Sequence, residues 1–296
     1  MFVIKYQKIF LAISAAFVAL SIAFIIAFGL KPGIDFTGGS ALGLSFADAR
    51  PDAALLKERA DNAGFGDALI QPTGEKGISV KTRDLTDAER ASLIAALTDG
   101  GSNSATQESF TTIGPSVGSE LKRKAIVSIV LVLISIICFV AYAFRKVSTP
   151  VSSWKYCLAV ILALVHDIII PAGVFALLGH VMGAEVDTLF IVALLTTLAL
   201  SVSDTIVVFD RIRENLPLMK GSPFAEVVGK SLSQTFARSI NTSLMVLVMV
   251  VSLALFGPSS TRLFATVLAI GMFFGTYSSV FLASPLLVLM AGKEKK

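Results

Sequence analysis

Long apolar runs and one extended polar stretch divide the chain before any motif is considered. Runs long enough to cross a bilayer fall at Ile9–Leu30 and at about 125–144, 157–179, 188–209, 239–257 and 264–290, each near or above the ~20 residues a spanning helix needs. Lys5 and Lys8 precede the first run, and no small-x-small cleavage pattern ends it, so it is expected to stay as a span and not to be removed as a signal peptide. Six spans place both termini on one side of the membrane.

The polar stretch after the first run punctuates differently. Ser40–Phe46, Ala68–Pro72, Gly77–Thr82 and Ala105–Ile113 suit strands, while Asp52–Ala63 and Ala88–Leu97 suit helices. Thr86 and Glu89 form a capping box that starts the second helix. The order β-α-β-β-α-β predicts a ferredoxin-like α+β domain. The fold class expected is therefore an α-helical membrane protein of six transmembrane helices with this domain inserted between spans one and two. Its parts are a first transmembrane helix (1–30), the α+β domain (31–121), a five-helix bundle (122–292) with a cytoplasmic loop near 210–235, and a tail (293–296). Within the loop, Ser222 and Pro223 suit an N-cap and first helical position. Phe224, Val227, Val228, Leu232 and Phe236 then recur at helical spacing, predicting a short amphipathic connector on the inner membrane surface that feeds span five.

Composition agrees with a polytopic membrane protein and excludes a soluble one: 54% of residues are hydrophobic and the mean hydropathy is +0.79. Charge adds an orientation. Residues 31–120 hold 8 basic and 13 acidic side chains, against 17 and 8 in the remainder, so an acidic insert sits in a basic membrane body. With the termini inside, 12 Lys and Arg near span ends are cytoplasmic and 5 are outside, which favours cytoplasmic termini and an external insert. Lys122, Arg123 and Lys124 oppose this, as the end of a folded domain that crosses regardless of charge. Basic residues beside spans mark the cytoplasmic face and do not imply nucleic acid. Cys138 and Cys157 have no metal-ligand spacing, and the insert has no His, no Cys and no paired carboxylates. No enzyme, metal or cofactor is expected, and the insert suits binding or the transmission of motion.

The costly residue is Asp204, about six positions before the charged exit Asp210, Arg211, Arg213, Glu214. At ~1.5 Å per residue it lies roughly 9 Å below that exit, where an ionised carboxylate costs ~2.5 kcal/mol or more. Function and helix-to-helix adhesion are the two readings. Thr197, Ser201, Asp204, Thr205 and Val208 recur at steps of three and four and should share a face. Arg238 on span five is depth-matched: it either snorkels or pairs with Asp204 or a partner's carboxylate, and Asn241 and Thr242 would extend the polar path. His166 and Asp167 lie near the midplane of span three, four residues before Pro171, which leaves the Asp167 carbonyl without its helical donor. They are either a proton-handling pair or an interhelical hydrogen bond. Gly271 and Gly275 form a small-residue stripe for helix packing.

These residues together resemble the SecF family of the SecD–SecF protein-export complex, itself related to RND-type proton-driven transporters. Ser201–Asn215 is similar to that family's fourth-span signature, including Asp210, Arg211, Arg213, Glu214 and Asn215. Gly33-Ile34-Asp35-Phe36-Thr37-Gly38-Gly39 resembles the segment after its first span, Gly114–Gly118 the segment before its second, and Gly275–Ser279 part of its last. The resemblance implies a role in Sec-dependent export, with inward proton flow as the energy source. It implies a SecD-like subunit, the SecYEG translocon and unfolded translocating polypeptides as partners, in a bacterial-type inner membrane. It also implies by position that Asp204 and Arg238 carry the proton, and the neighbouring polar positions His166, Asp167, Ser201, Ser203 and Thr205 complete the pathway expected. Where the family usually has Gly-Tyr-Ser-x-Asn-Asp, this chain has Ala199-Leu200-Ser201-Val202-Ser203-Asp204, so a phenol and an amide are absent. The rival functions are a proton-coupled small-molecule transporter subunit of the related superfamily and a non-conducting translocon assembly factor.

Overall fold

In the computed structural model, residues 2–101, 103–145 and 151–292 are described. The expected tail 293–296, with Lys293, Lys295 and Lys296, and the loop residue Lys146 lie outside them. The chain divides into two compact units, one of residues 1–30, 128–184 and 189–296, the other of residues 31–127 and 185–188.

The first unit is helical. A short α1 (Phe2–Lys5) leads into α2 (Gln7–Phe28); α6 (Pro115–Ala143), α7 (Ser153–Val181), α8 (Thr188–Leu218), α9 (Phe224–Phe256) and α10 (Ser259–Ser278) follow, the last continuing through a π-helical turn (Ser279–Ala283) into α11 (Ser284–Ala291). Among the described residues, six helices are long and apolar enough to cross a membrane. α7 is the most buried of them, while few residues of α2 and α6 are fully buried. At the end where α6 stops and α7 begins, Phe144 stacks on Tyr156 at 5.2 Å, and both meet Phe209 edge-on. Val3, Ile212, Phe224, Val228, Leu232 and Leu287 complete this core.

The connector expected before span five is not a separate surface helix. Phe224, Val227, Val228 and Leu232 are buried and form the opening turns of the continuous 33-residue α9. Their apolar face joins the core of the helical unit, where α9 meets α1 and α11, and no proline interrupts the run that follows. The helix also starts one residue later than Ser222–Pro223 suggested: Pro223 is its N-cap, at ψ 139°, in extended backbone.

The second unit holds α3 (Ile34–Thr37), β1 (Gly39–Phe46), α4 (Ala53–Asn62), β2 (Leu69–Thr73), β3 (Gly77–Thr82), α5 (Asp87–Leu97) and β4 (Ala105–Ile113). The sheet order is β2-β3-β1-β4, every pair antiparallel. Alternation sends Leu42, Leu44, Phe46, Ile78 and Val80 to one face, where they meet Leu56, Ala60, Leu93 and Leu97 of the two helices. The glycine pair before β1 serves close approach: Gly38 (φ 79°) and Gly39 (φ 131°) take backbone that favours glycine. A Cβ on Gly38 would meet Pro115 Cα at 2.8 Å and one on Gly39 would meet the Thr82 carbonyl at 2.6 Å.

The capping box forms as expected. Thr86 Oγ1 accepts from the Glu89 amide at 3.3 Å, and Glu89 accepts from the Thr86 amide at 2.9 Å. Arg83 donates to Glu89 at 2.6 Å, and with the Thr86 donors it draws the Glu89 carboxyl down to about 2. Because the folded pKa is depressed, the stabilisation is fully present above the unfolded carboxyl value and is lost as pH falls through about 2. Thr86→Ala is expected to cost about 1 kcal/mol, read as a roughly fivefold drop in amide protection over the first turn of α5 by hydrogen exchange.

Candidate functional site

The polar side chains of the helical unit gather in two places. The first is centred on Asp167. The α7 backbone carries His166 (2% exposed) and Asp167 (0%) into the middle of the unit. Asp167 Oδ2 accepts a hydrogen bond from Ser201 of α8 and another, at 2.9 Å, from Ser278 of α10; Oδ1 lies 2.9 Å from His166 Nδ1. Ser279 donates to the Ser201 carbonyl at 3.2 Å, and Thr205 donates to Ser279 Oγ at 2.9 Å. One carboxylate therefore ties three helices, with a hydrogen-bond partner at each of its oxygens. The His166 ring stacks on Tyr277 at 6.1 Å, and Tyr277 donates its hydroxyl to the Phe10 carbonyl of α2 at 3.1 Å. Among the described residues, His166 Nε2 is buried with no hydrogen-bond partner.

Close helix approach makes this layer possible. A Cβ on Gly271 would collide with Thr197, and one on Gly275 would lie 3.0 Å from Ser201 Cβ. Ser284 Oγ donates to the Ser279 carbonyl five residues back at 3.3 Å, inside the π-helical turn just before Pro285. Pro285 has no amide hydrogen, so the ladder cannot continue in α register there.

The second place is Asp204. Ser201 and Thr205 face α7 and α10, whereas Asp204 turns to α9 and accepts from Ser243 Oγ at 3.1 Å. It is half-buried. Ser203 and Arg238 are exposed, and among the described residues no ion pair joins Arg238 to Asp204. The five positions expected on one face thus divide between two interfaces, because steps of three and four residues drift around a helix of 3.6 per turn. Asn241 and Thr242 are exposed beside the buried Ser243. Ser243 also lines a groove of about 210 Å³ with Ile240, Leu247, Met272, Thr276 and Tyr277.

The charged exit is a clamp between α8 and α9. Asn215 is buried and donates to Ser231 Oγ and Gln234 Oε1, both at 2.8 Å, and Arg211 reaches the same Gln234 at 2.7 Å. Arg211 pairs with Glu214 at 2.6 Å and Arg213 with Asp210 at 3.0 Å, all about half exposed. Asp35 and Phe36 lie on α3 in the other unit, with Gly38 and Gly39 directly after. Ser243, Ser278 and Tyr277 are the site residues that the sequence does not single out for chemistry; Ser243 directly follows Asn241 and Thr242, the polar positions it does point to. Among the described residues, no group of three His, Cys, Asp or Glu side chains is placed to hold a metal ion.

Residues 93–293 match the family described as protein export membrane protein SecD/SecF, C-terminal, and residues 23–48 match the SecD/SecF GG motif. The chain belongs to the SecD/SecF protein-export family. It is similar to the protein translocase subunit SecF of Thermobaculum terrenum, at 36% identity over 99% of this chain and 94% of that one. It is also similar to the subunit SecDF of Thermus thermophilus, at 36% identity over 94% of this chain but 37% of that longer one. The crystal structure of the translocon-associated membrane protein SecDF from Thermus thermophilus superposes with a TM-score of 0.85 at 35% identity, over 97% of this chain and 38% of that chain. As a SecD/SecF family member with six candidate spans, it is a multi-pass membrane protein of the Sec protein-export pathway. The GG motif named by the family is the Gly38–Gly39 pair, and its tight contacts with Pro115 and Thr82 account physically for two consecutive glycines there.

Proposed function

We propose that this chain is a SecF-type subunit that draws on proton flow through the membrane to promote the late stage of translocation of secreted proteins. Asp204 is the observation that carries the reading: a carboxylate inside an apolar span, half-buried, held by the Ser243 hydroxyl. A carboxylate so placed is balanced between burial and solvation, so a small change of packing can change its protonation. α8 carries both Asp204 and the Ser201 that binds Asp167, so protonation at the first site biases the helix contacts at the second. One charge crossing 100 mV supplies ~2.3 kcal/mol, enough to shift such an equilibrium.

In this reading the chain hydrolyses no ATP, uses no cofactor and binds no nucleic acid. Both termini are cytoplasmic, and the α+β unit, whose strand order is ferredoxin-like, lies outside the bacterial inner membrane. Its partners are a SecD-like subunit, SecYEG and the unfolded polypeptide in transit. The existence of longer SecDF relatives, matched over only 37% of their length, supports the SecD-like partner. Exposed Arg238 then faces a partner's carboxylate. Arg238→Lys keeps the charge and loses the planar fork; gradient-stimulated export is expected to fall strongly, and a variant indistinguishable from wild type would assign Arg238 to snorkelling.

The test is reconstitution of the chain with its SecD-like partner and SecYEG in vesicles, scoring completion of export with and without an imposed proton gradient. Export that ignores the gradient while still requiring the chain would overturn proton coupling and leave the assembly-factor function. Uptake of a small solute in place of polypeptide would favour the transporter function, with the groove beside Ser243 as its site.

A further inference from the structure

α9 carries a line of four hydroxyls that the sites described above use only at its ends. Ser231, Thr235, Ser239 and Ser243 stand four residues apart, so they lie along one side of the helix. All four are buried, with Ser239 only 1% exposed. At one end Ser243 donates to Asp204 at 3.1 Å; at the other, Ser231 Oγ accepts from the buried Asn215 at 2.8 Å. Asn215 and Arg211 both bond Gln234, which is exposed, and Glu214 beside them is about half exposed. The line therefore runs from the carboxylate inside the apolar span to a polar, solvated exit about 18 Å away. The two end bonds also set α8 antiparallel to α9, with Val208 level with Ser239 and Ile212 level with Thr235. Both are buried and apolar.

Small side chains at this spacing often do no more than let helices approach. Ser231 and Thr235 fit that role, donating to the carbonyls of Val227 and Ser231, one turn back, at 2.8 and 3.0 Å. Ser239 does not. Its Oγ is buried and, among the described residues, has no hydrogen-bond partner. A hydroxyl so placed costs stability, and alanine would pack there without that cost. The spacing of the line supplies a use for it. Successive hydroxyls are about 6 Å apart along the axis, roughly twice the ~2.8 Å of an O–H···O bond. One water molecule between each pair completes a continuous chain of hydrogen bonds.

We propose that Ser243, Ser239, Thr235 and Ser231 are the route by which a proton leaves Asp204 for the charged exit of α8, with single water molecules carrying it between hydroxyls. The protonated carboxyl of Asp204 passes its proton to Ser243 Oγ as the Ser243 proton moves to the next water, and each oxygen down the line gains one proton and loses one. The carboxyl ends as a carboxylate, the last proton ends on solvent water beside Gln234 and Glu214, and every hydroxyl is restored. Ser239, whose oxygen no protein group engages, is the rung free both to accept and to donate. Val208 and Ile212 offer no competing acceptor at the middle rungs. The inference names the inner half of the pathway in the proton-coupled reading above and rests on that reading.

The test measures proton uptake with a pH-sensitive dye enclosed in vesicles that hold the full chain, its SecD-like partner and SecYEG, under an imposed proton gradient. Thr235→Val keeps the shape of the side chain and removes the hydroxyl, Ser239→Ala removes a hydroxyl without adding bulk, and Thr235→Ser keeps one. The first two are expected to bring uptake down to the level of Asp204→Asn while thermal unfolding and co-purification of the partner stay as in wild type. Thr235→Ser is expected to take up protons well above Thr235→Val. Wild-type uptake in both hydroxyl-free variants would overturn the route. So would a loss in Thr235→Ser as large as in Thr235→Val, which would assign the line to helix packing. If Thr235→Val does not assemble, Ser239→Ala decides alone. Wild-type vesicles that take up no more protons than Asp204→Asn would overturn the proton-coupled reading itself, and the route with it.

Discussion

Asp204→Asn is expected to leave the protein assembled and to reduce export in the presence of a gradient to the level seen without one. Asparagine matches the carboxylate in shape, and its side-chain carbonyl can still accept from Ser243. A half-buried neutral amide avoids the ~2.5 kcal/mol or more charged by the apolar medium for an ionised carboxylate, so stability should rise or stay level. What disappears is the capacity to bind and release a proton. The measurement is polypeptide export into vesicles under an imposed pH difference, with complex assembly scored by co-purification of the partner. Retained gradient dependence would remove Asp204 from the pathway, and failure to assemble would show that its bond to Ser243 is structural.

The sequence made the two kinds of architecture readable because their signals are local. Six apolar runs and six short alternating or helical segments could be placed from residue order, and the capping box at Thr86 and Glu89 needed no tertiary information. Boundaries were less readable: α8 runs to Leu218 and α9 begins at Phe224, beyond the apolar windows, because charged exits remain helical after leaving hydrocarbon. The site was legible in membership more than in arrangement. His166, Asp167, Ser201 and Thr205 are all present in one layer, but residue order cannot say that Ser278, 111 residues from Asp167, completes it. Nor does periodicity separate Asp204, which faces α9, from Ser201 and Thr205, which face α7 and α10, since positions three and four apart look equivalent on a helical wheel. Asn215 stands out in the sequence only through the family signature, and residue order does not show that it is buried between α8 and α9.

Asp167→Ala is expected to lower stability by about 2 to 4 kcal/mol, the largest effect on folding of any single polar change in the helical unit. The acceptor it removes is fully buried, so water cannot replace it. The cost does not fall equally on the three groups that contact it. Ser278 already donates within reach of the Gly275 carbonyl at 2.9 Å and can settle there; Ser201 has the same carbonyl only at 3.4 Å. His166 is worse placed, because Nδ1 loses Asp167 while Nε2 has no partner among the described residues. Interhelical hydrogen bonds in membrane proteins average only ~0.6 kcal/mol when both partners can find substitutes, but a stranded buried donor costs ~1–3 kcal/mol, and here one ring is stranded outright. Asp167→Asn retains one acceptor oxygen and lets the serine hydroxyls rotate to accept from the new amide, so it should fall between Ala and wild type. Thermal unfolding in detergent, run beside gradient-stimulated export, separates the two roles of this carboxylate. A graded loss of stability from Asp to Asn to Ala assigns it to holding α7, α8 and α10 together. An Asp167→Asn protein that melts like wild type but exports without regard to the gradient would place the proton on Asp167 as well as on Asp204.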